Sequence, residues 1–288
     1  MAENKNKEVD LAAAQEDESS SSFDFATIYT TLILNWKWFL LSLIICLGSA
    51  AIYLRYKTPI YQASAKLLIK EGNQNSRRGM MSSATLGMIS NSDGINNEME
   101  ILTSHSLAEQ TVRDLKLYVN YYLVGKVKSR LMYKTQPITV DMDPAHLEKL
   151  NAPIKLSIER DGNKYHITGT YYVPISENHA DGPFEIDKTI TQLPATIGTR
   201  AGILTINQNG VSPMVDGIEV KVHIQSPRYA AYKYVHALKV NQLSKSTSIA
   251  QLVLEDELPQ RAVDYLQQLA ISYNLQANED KNEIAMRT

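Results

Sequence analysis

The stretch TPIYQASAKLLIKE, residues 58–71, decides how the chain is organised. Tyr61, Ala63, Ala65, Leu67 and Ile69 fall on one face and Gln62, Ser64 and Lys66 on the other, the period of two of a half-buried strand. Pro59 ends any helix arriving from the N-terminal side, because its ring clashes with the preceding turn and it has no amide hydrogen to give. A helix does arrive there, since Trp38 to Leu54 reads WFLLSLIICLGSAAIYL without a charge. The strand therefore begins within a few residues of the end of an apolar segment, with no linker between them.

At 1.5 Å per residue, a helix from Trp36 to Tyr56 is about 31 Å long, the thickness of a bilayer's hydrocarbon core. Its strongly apolar residues, Phe39, Leu40, Leu41, Leu43, Ile44, Ile45, Leu47, Ile52 and Leu54, contribute on the order of −3 to −5 kcal/mol to insertion. Trp36, Trp38, Tyr53 and Tyr56 stand at its two ends, where amphipathic rings favour the headgroup zone, and Arg55 and Lys57 supply charge there. These six residues are the expected membrane-interface set. A buried core helix or a cleaved signal peptide would also be apolar, but a signal peptide starts with its basic region, and here an acidic, serine-rich tail comes first. A permanent transmembrane helix over 36–56 is the expectation. Residues 1–22 are polar and aperiodic, which predicts a disordered tail, and 23–35 has the apolar spacing of an interfacial helix. Lys37 precedes the apolar run while Arg55, Lys57, Lys66 and Lys70 follow it, so the positive-inside rule alone directs the large C-terminal part to the cytoplasm.

On the other side of the opening strand, residues 71–97 are rich in Gly, Asn and Ser and read as a long loop. Arg77 and Arg78 within it are either solvated charges or contacts for lipid or polymer phosphate. Glu98–Leu102 and Ser106–Leu115 read as helices, the second opened by Ser106 and Glu109 at the spacing of a capping box. From Pro137 to Ile224 the pattern turns to β, with ITVDM, IKLSIER, YHITGTYY and the alternation Ile218, Val220, Val222, Ile224 separated by Gly- and Pro-containing turns. Ser226-Pro227 supplies an N-cap and a first-turn proline for a short helix. Strands follow around Leu238–Leu243 and Ser248–Glu255, and then an amphipathic helix with Ala262, Leu266, Leu269, Ala270 and Tyr273 on its inner face. That helix meets no stop signal before Thr288, which predicts a natural chain that continues. The fold class is α+β: a mixed sheet packed against helices, including the long C-terminal one, with an inserted β subdomain. The expected divisions are 57–135 and 226–288 as two parts of one α/β domain, with a β-rich insert over 136–225.

A search for chemistry returns little. With 29 basic and 31 acidic side chains no polyanion-binding surface is visible, so nucleic acid is not an expected partner. Cys46 is the single cysteine, so no intramolecular disulfide or thiol pair is available. The six histidines contain no pair three to five residues apart, and no phosphate loop, dinucleotide fingerprint or nucleophile elbow occurs. Asp141 with Asp143, or Asp256 with Glu257, are the carboxylate pairs a glycosidase would need, but acids at strand ends and helix starts are common without catalysis. No catalytic, cofactor or metal residue is expected. Sixteen tyrosines against four phenylalanines, with Tyr118, Tyr121 and Tyr122 clustered, offer either sugar-stacking faces or amphipathic interface residues.

The sequence order NWKWFLLSLIICLG, TPIYQASAKLLI, EMEILTSHSLAEQTVRDLKL and STSIAQLVLEDELPQRAVDYLQQLAISYNLQ resembles the Wzz-type chain-length determinants, the polysaccharide co-polymerases. Pro59, Tyr61 and Ala63, and the run from Glu100 through Leu102, Ser104, Val112 and Leu115, carry the resemblance most specifically. It is closest to the capsular and exopolysaccharide branch, in which a tyrosine autokinase often follows a second span; neither is present in this sequence. The resemblance implies a non-catalytic homo-oligomer of the bacterial inner membrane that regulates chain length and export. Its implied partners are the membrane, a polysaccharide polymerase, lipid-linked polysaccharide and an outer-membrane exporter. It implies a cytoplasmic N-terminus and a periplasmic body, against the lysine count, and we follow it because a few juxtamembrane charges bias topology only modestly. It also implies a terminal helix returning toward the membrane, so that the opening strand and that helix form two legs of one stiff module. The competing reading of the same layout is the extracytoplasmic sensor domain of a membrane receptor.

Overall fold

A computed structural model describes residues 25–69, 87–126, 128–177, 179–244 and 248–287. The chain divides into two compact units, Met1–Lys57 and Thr58–Thr288. The described part of the first consists of α1 (Phe25–Leu34) and α2 (Trp36–Tyr56). Asn35 interrupts them with φ −109° and ψ 24°, and its side-chain amide donates to the Thr31 carbonyl at 3.1 Å. At the other end Lys57 turns extended, φ −69° and ψ 130°, and its amide closes on the Tyr53 carbonyl at 3.0 Å. The chain thus leaves the helical region two residues ahead of Pro59, which itself bars the helix from resuming.

In the second unit β1 (Tyr61–Leu68) pairs with β12 (Ile249–Asp256), which pairs in turn with β11 (Leu238–Gln242), giving the three-stranded sheet β1-β12-β11. The alternation read from the opening stretch holds: Ala63, Ala65 and Leu67 pack on the core, Ile69 is buried, and Gln62, Ser64 and Lys66 face out. Tyr61 departs from it, being 45% exposed, because it lies at the very end of the strand. The core face carries α7 (Pro259–Arg287), which packs on β1 and β12. Alanines at 63 and 65 keep that face low, so a helix bearing Tyr265, Leu266 and Leu269 can approach it closely. Register places Tyr61 across from Asp256. The first turn of α7 therefore lies at the sheet end where β1 begins, whereas the expectation of a returning helix would have put its last turn there.

Two more helices complete this layer: α3 (Gly87–Leu102) and α4 (His105–Asp114). The expected loop over 71–97 is thus corrected for its second part, since 87–97 belong to α3; its polar Asn and Ser residues hid a helix whose apolar residues Ile95 and Leu102 are buried. Residues 71–86, with Arg77 and Arg78, lie outside the described residues. The cap of α4 is corrected as well: Ser104, not Ser106, accepts the Leu107 amide at 3.3 Å. The buried face of this helix is Leu107, Ala108, Thr111 and Val112.

The β-rich part forms two sheets. One has the order β3-β2-β10-β5-β6-β7, from β2 (Val119–Val124), β3 (Ser129–Met132), β5 (Ile154–Asp161), β6 (Lys164–Ser176), β7 (His179–Ile190) and β10 (Glu219–Ile224). The other is β4-β9-β8, from β4 (Ile138–Met142), β8 (Ala195–Thr199) and β9 (Gly202–Gln208). A one-turn α5 (Pro144–Leu147) follows β4, and α6 (Pro227–Ala237) follows β10, its N-cap Ser226 accepting the Tyr229 amide at 3.4 Å as the Ser-Pro signal predicts. Every strand pairing among the described residues is antiparallel, which corrects the expected mixed sheet. Tight hairpins such as Gly162 and Asn163 between β5 and β6 allow only that sense, and Gly162 supplies the positive φ of 57° the turn needs. The Tyr121 hydroxyl accepts the Val140 amide at 2.8 Å, tying the two sheets, and Val220, Val222, Leu204 and Ile206 share one continuous core.

Gly169 of β6 has no room for a side chain. A Cβ there would lie 2.3 Å from the Lys155 carbonyl oxygen and 2.9 Å from Leu156 Cδ2. Backbone cannot retreat as a flexible side chain does, so Gly169→Ala is expected to cost about 1–3 kcal/mol or more. The urea midpoint of the detergent-solubilised chain reads this, and an unchanged midpoint would contradict it.

Candidate functional site

Within the first unit, α2 is the one helix among the described residues long and apolar enough to cross a membrane, with a mean hydropathy of 1.8 over its most apolar window and none of its residues buried. Trp36 and Trp38 stand exposed in its first turn, Tyr53, Arg55 and Tyr56 in its last, and Lys57 just beyond. Lys57 Nζ sits 5.5 Å from the centre of the Tyr53 ring. A cation over an aromatic face holds charge and ring together at this helix end.

Within the second unit, the end of β12 carries a buried charge cluster that the sequence reading did not single out. Asp256 and Arg261 have side chains 1% and 3% exposed. Arg261 Nη2 donates to Asp256 Oδ1 at 2.7 Å and Nε donates to both carboxylate oxygens at 3.1 Å. The same Oδ1 accepts the Leu258 amide at 2.8 Å, so one carboxylate also satisfies an amide at the start of α7. Arg261 Nη1 reaches Asn120 Oδ1 of β2 at 3.1 Å, joining the small sheet and its helix to the large sheet. Lys233 Nζ of α6 lies 3.6 Å from Asp256. Burial and then the neighbouring Arg261 charge push the Lys233 pKa down, with Asp256 opposing them. Burial disfavours the Arg261 charge, but nearby Tyr234 and the hydrogen-bonded Asp256 outweigh it and hold the guanidinium above its ordinary value. Tyr234 and Tyr265 stack with ring centres 4.4 Å apart and an interplanar angle of 11°.

One turn further along α7, Asp264 accepts from Lys134 Nζ at 2.5 Å, the Tyr133 hydroxyl at 3.0 Å and Gln260 Nε2 at 2.8 Å. Burial alone would raise its pKa; the bonds from Lys134, Gln260 and Tyr133 prevail and lower it below the ordinary 3.8. A carboxyl depressed in the folded state adds stability above its unfolded pKa, and that stability is lost as pH falls through the folded value. Asp264→Asn is therefore expected to flatten the fall in urea midpoint on acidifying from about pH 5 to about pH 2. A slope equal to wild type would contradict this.

Lys116 and Lys134 flank a cleft of about 330 Å³ that Asn120, Tyr121, Tyr133 and Arg261 also line. Both lysines have left-handed backbone, φ 53° and 61°, a conformation costing a non-glycine residue about 1–2 kcal/mol. Lys116 Nζ donates to Asp141 Oδ1 at 2.6 Å, and that bond raises its pKa against the opposing effect of burial. Asp143 bonds His146 at 2.8 Å. The carboxylate pairs weighed for glycoside cleavage are thus engaged with basic neighbours, Asp141 with Lys116 and Asp256 with Arg261, and Glu257 is exposed. Of the clustered tyrosines, Tyr121 is consumed as a core hydrogen-bonding group and Tyr122 packs against His223 at a tilt of 52°, ring centres 5.1 Å apart. Sequence offered one signal for the cluster: Arg261 lies four residues before Tyr265, hence on the same face of α7, and a charge on an apolar face demands a buried partner.

These features define an α+β protein in which an apolar helix runs directly into a strand of the sheet that carries the final helix. Residues 21–115, the stretch from the helix before α2 through β1 to the end of α4, match the model of the Wzz family, chain length determinant protein. The resemblance read from the motifs is borne out over that segment. Comparison with curated proteins gives no match.

Proposed function

We propose that this chain is a non-catalytic, oligomeric polysaccharide co-polymerase that regulates the length and export of a capsular polysaccharide or exopolysaccharide. The observation that carries the reading is the family match over residues 21–115, which contains both the apolar helix and the strand that follows it. In this reading α2 crosses the bacterial inner membrane, the N-terminus is cytoplasmic and the body periplasmic. Trp36, Trp38, Tyr53, Arg55, Tyr56 and Lys57 set its depth, and Arg77 and Arg78 contact lipid or polymer phosphate. The partners are further copies of the chain, a polymerase with its lipid-linked polysaccharide, and an outer-membrane exporter.

Deleting the gene tests the proposal. Surface polysaccharide sized on gels should lose its modal length or its normal amount. An unchanged ladder with unchanged amount would defeat the reading.

A further inference from the structure

A second cleft of about 610 Å³ lies on the body between the start of α6, the segment after α5 and the end of β6. Its volume falls in the range of small-ligand sites. Tyr229 and Tyr232, three residues apart on α6 and so on one helical face, are 44% and 46% exposed there. Facing them from β6 is Ile175, 65% exposed. The β6–β7 pairing breaks register twice at this place, between Tyr171 and Val173 and between Pro174 and Ser176. Such bulges re-aim side chains and gather next to binding sites.

The walls are fixed. Asn151 Nδ2 donates to the Ser176 carbonyl at 2.7 Å and the His179 carbonyl at 2.9 Å, holding the bulged strand end in place. Tyr232 packs on His105 with ring centres 4.6 Å apart, and His105 Nε2 bonds the Arg228 carbonyl at 3.0 Å. Two tyrosines lose little conformational entropy on binding and present apolar faces with hydroxyl edges. Around them the rim carries both signs, Glu148 and Glu177 with Lys149 and Arg228. Such a rim both donates and accepts hydrogen bonds without selecting a net charge. A ring with apolar C–H faces and a hydroxyl periphery matches that chemistry; a polyanion or a purely apolar segment does not.

We propose that this cleft is a saccharide-binding platform, in which one or two sugar rings of the polymer pack on Tyr229 and Tyr232 and their hydroxyls bond the charged rim. The inference rests on the proposed polysaccharide function and deepens it by naming a contact surface on the body. The test titrates the full chain in detergent micelles with oligosaccharides released by mild acid from the host's own surface polysaccharide, read by saturation-transfer NMR. Tyr229→Ala/Tyr232→Ala should weaken binding about tenfold or more, and Tyr229→Phe/Tyr232→Phe should stay within about twofold of wild type. Ile175→Ala, which leaves α6 untouched, should weaken binding in the same direction. No saturation transfer to wild type, or equal binding by the alanine variants, would overturn the platform. So would a changed oligomeric mass with unchanged binding, which would make the patch an interface between copies. A deletion strain with an unchanged ladder would instead sink the functional reading while leaving tyrosine-dependent saccharide binding to stand or fall by itself.

Discussion

Arg261→Met is expected to lower the stability of the body by about 3–5 kcal/mol, because it strands the Asp256 carboxylate in a site where that side chain is 1% exposed. Two features decide where in that range the loss falls. Lys233, 3.6 Å away and half-exposed, is relieved of Arg261 repulsion and can neutralise part of the charge, which favours the lower end. Against that, Asn120 loses its partner and the two sheets lose their polar tie. The double variant Asp256→Asn/Arg261→Met should recover much of the loss, since asparagine is neutral yet still accepts from the Leu258 amide. Urea titrations of wild type, both single variants and the double variant give the coupling between the two sites. Additive losses would show that the pair is not the joint described above.

The second large effect concerns α2. Arginine near the centre of a membrane helix costs about 2.5–3.5 kcal/mol, so Leu41→Arg with Ile44→Arg opposes insertion by about 5–7 kcal/mol. The wild-type helix gains only about 3–5 kcal/mol from its apolar residues. The double variant should leave the membrane fraction on carbonate washing, whereas wild type should remain in it. Retention equal to wild type would mean that α2 is not what holds the chain to the bilayer. The sign of this prediction does not depend on which side the body faces.

Much of this architecture was legible where one local signal dominated. Strict alternation gave β1, β5 and β10; Ser226-Pro227 gave the start of α6; and an uncharged run gave α2. Legibility failed where tertiary contacts overrode local pattern. Strand β7 does alternate, with Phe184, Ile186 and Ile190 on its core-facing side, but it is a sheet edge interrupted by Gly182, Pro183 and Lys188, so that period is too short and too diluted to stand out in the sequence. Helix α3 is polar over most of its length and is held by a few apolar residues. The Asp256–Arg261 cluster escaped because its partners, Asn120 and Lys233, are distant in sequence and meet only after two strands and two helices assemble. In the cleft, Tyr229 and Tyr232 were passed over for the more obvious cluster at Tyr118, Tyr121 and Tyr122, of which Tyr118 and Tyr121 prove to be buried.

The central claim is that a membrane-held α+β body governs how long a polysaccharide grows. The most direct measurement is the size distribution of surface polysaccharide in a deletion strain complemented with either the intact chain or Leu41→Arg/Ile44→Arg, at matched expression. The account predicts that the intact chain restores the modal length and that the arginine variant leaves the distribution of the deletion strain. A modal length restored equally well by a chain that no longer sediments with membranes would contradict it.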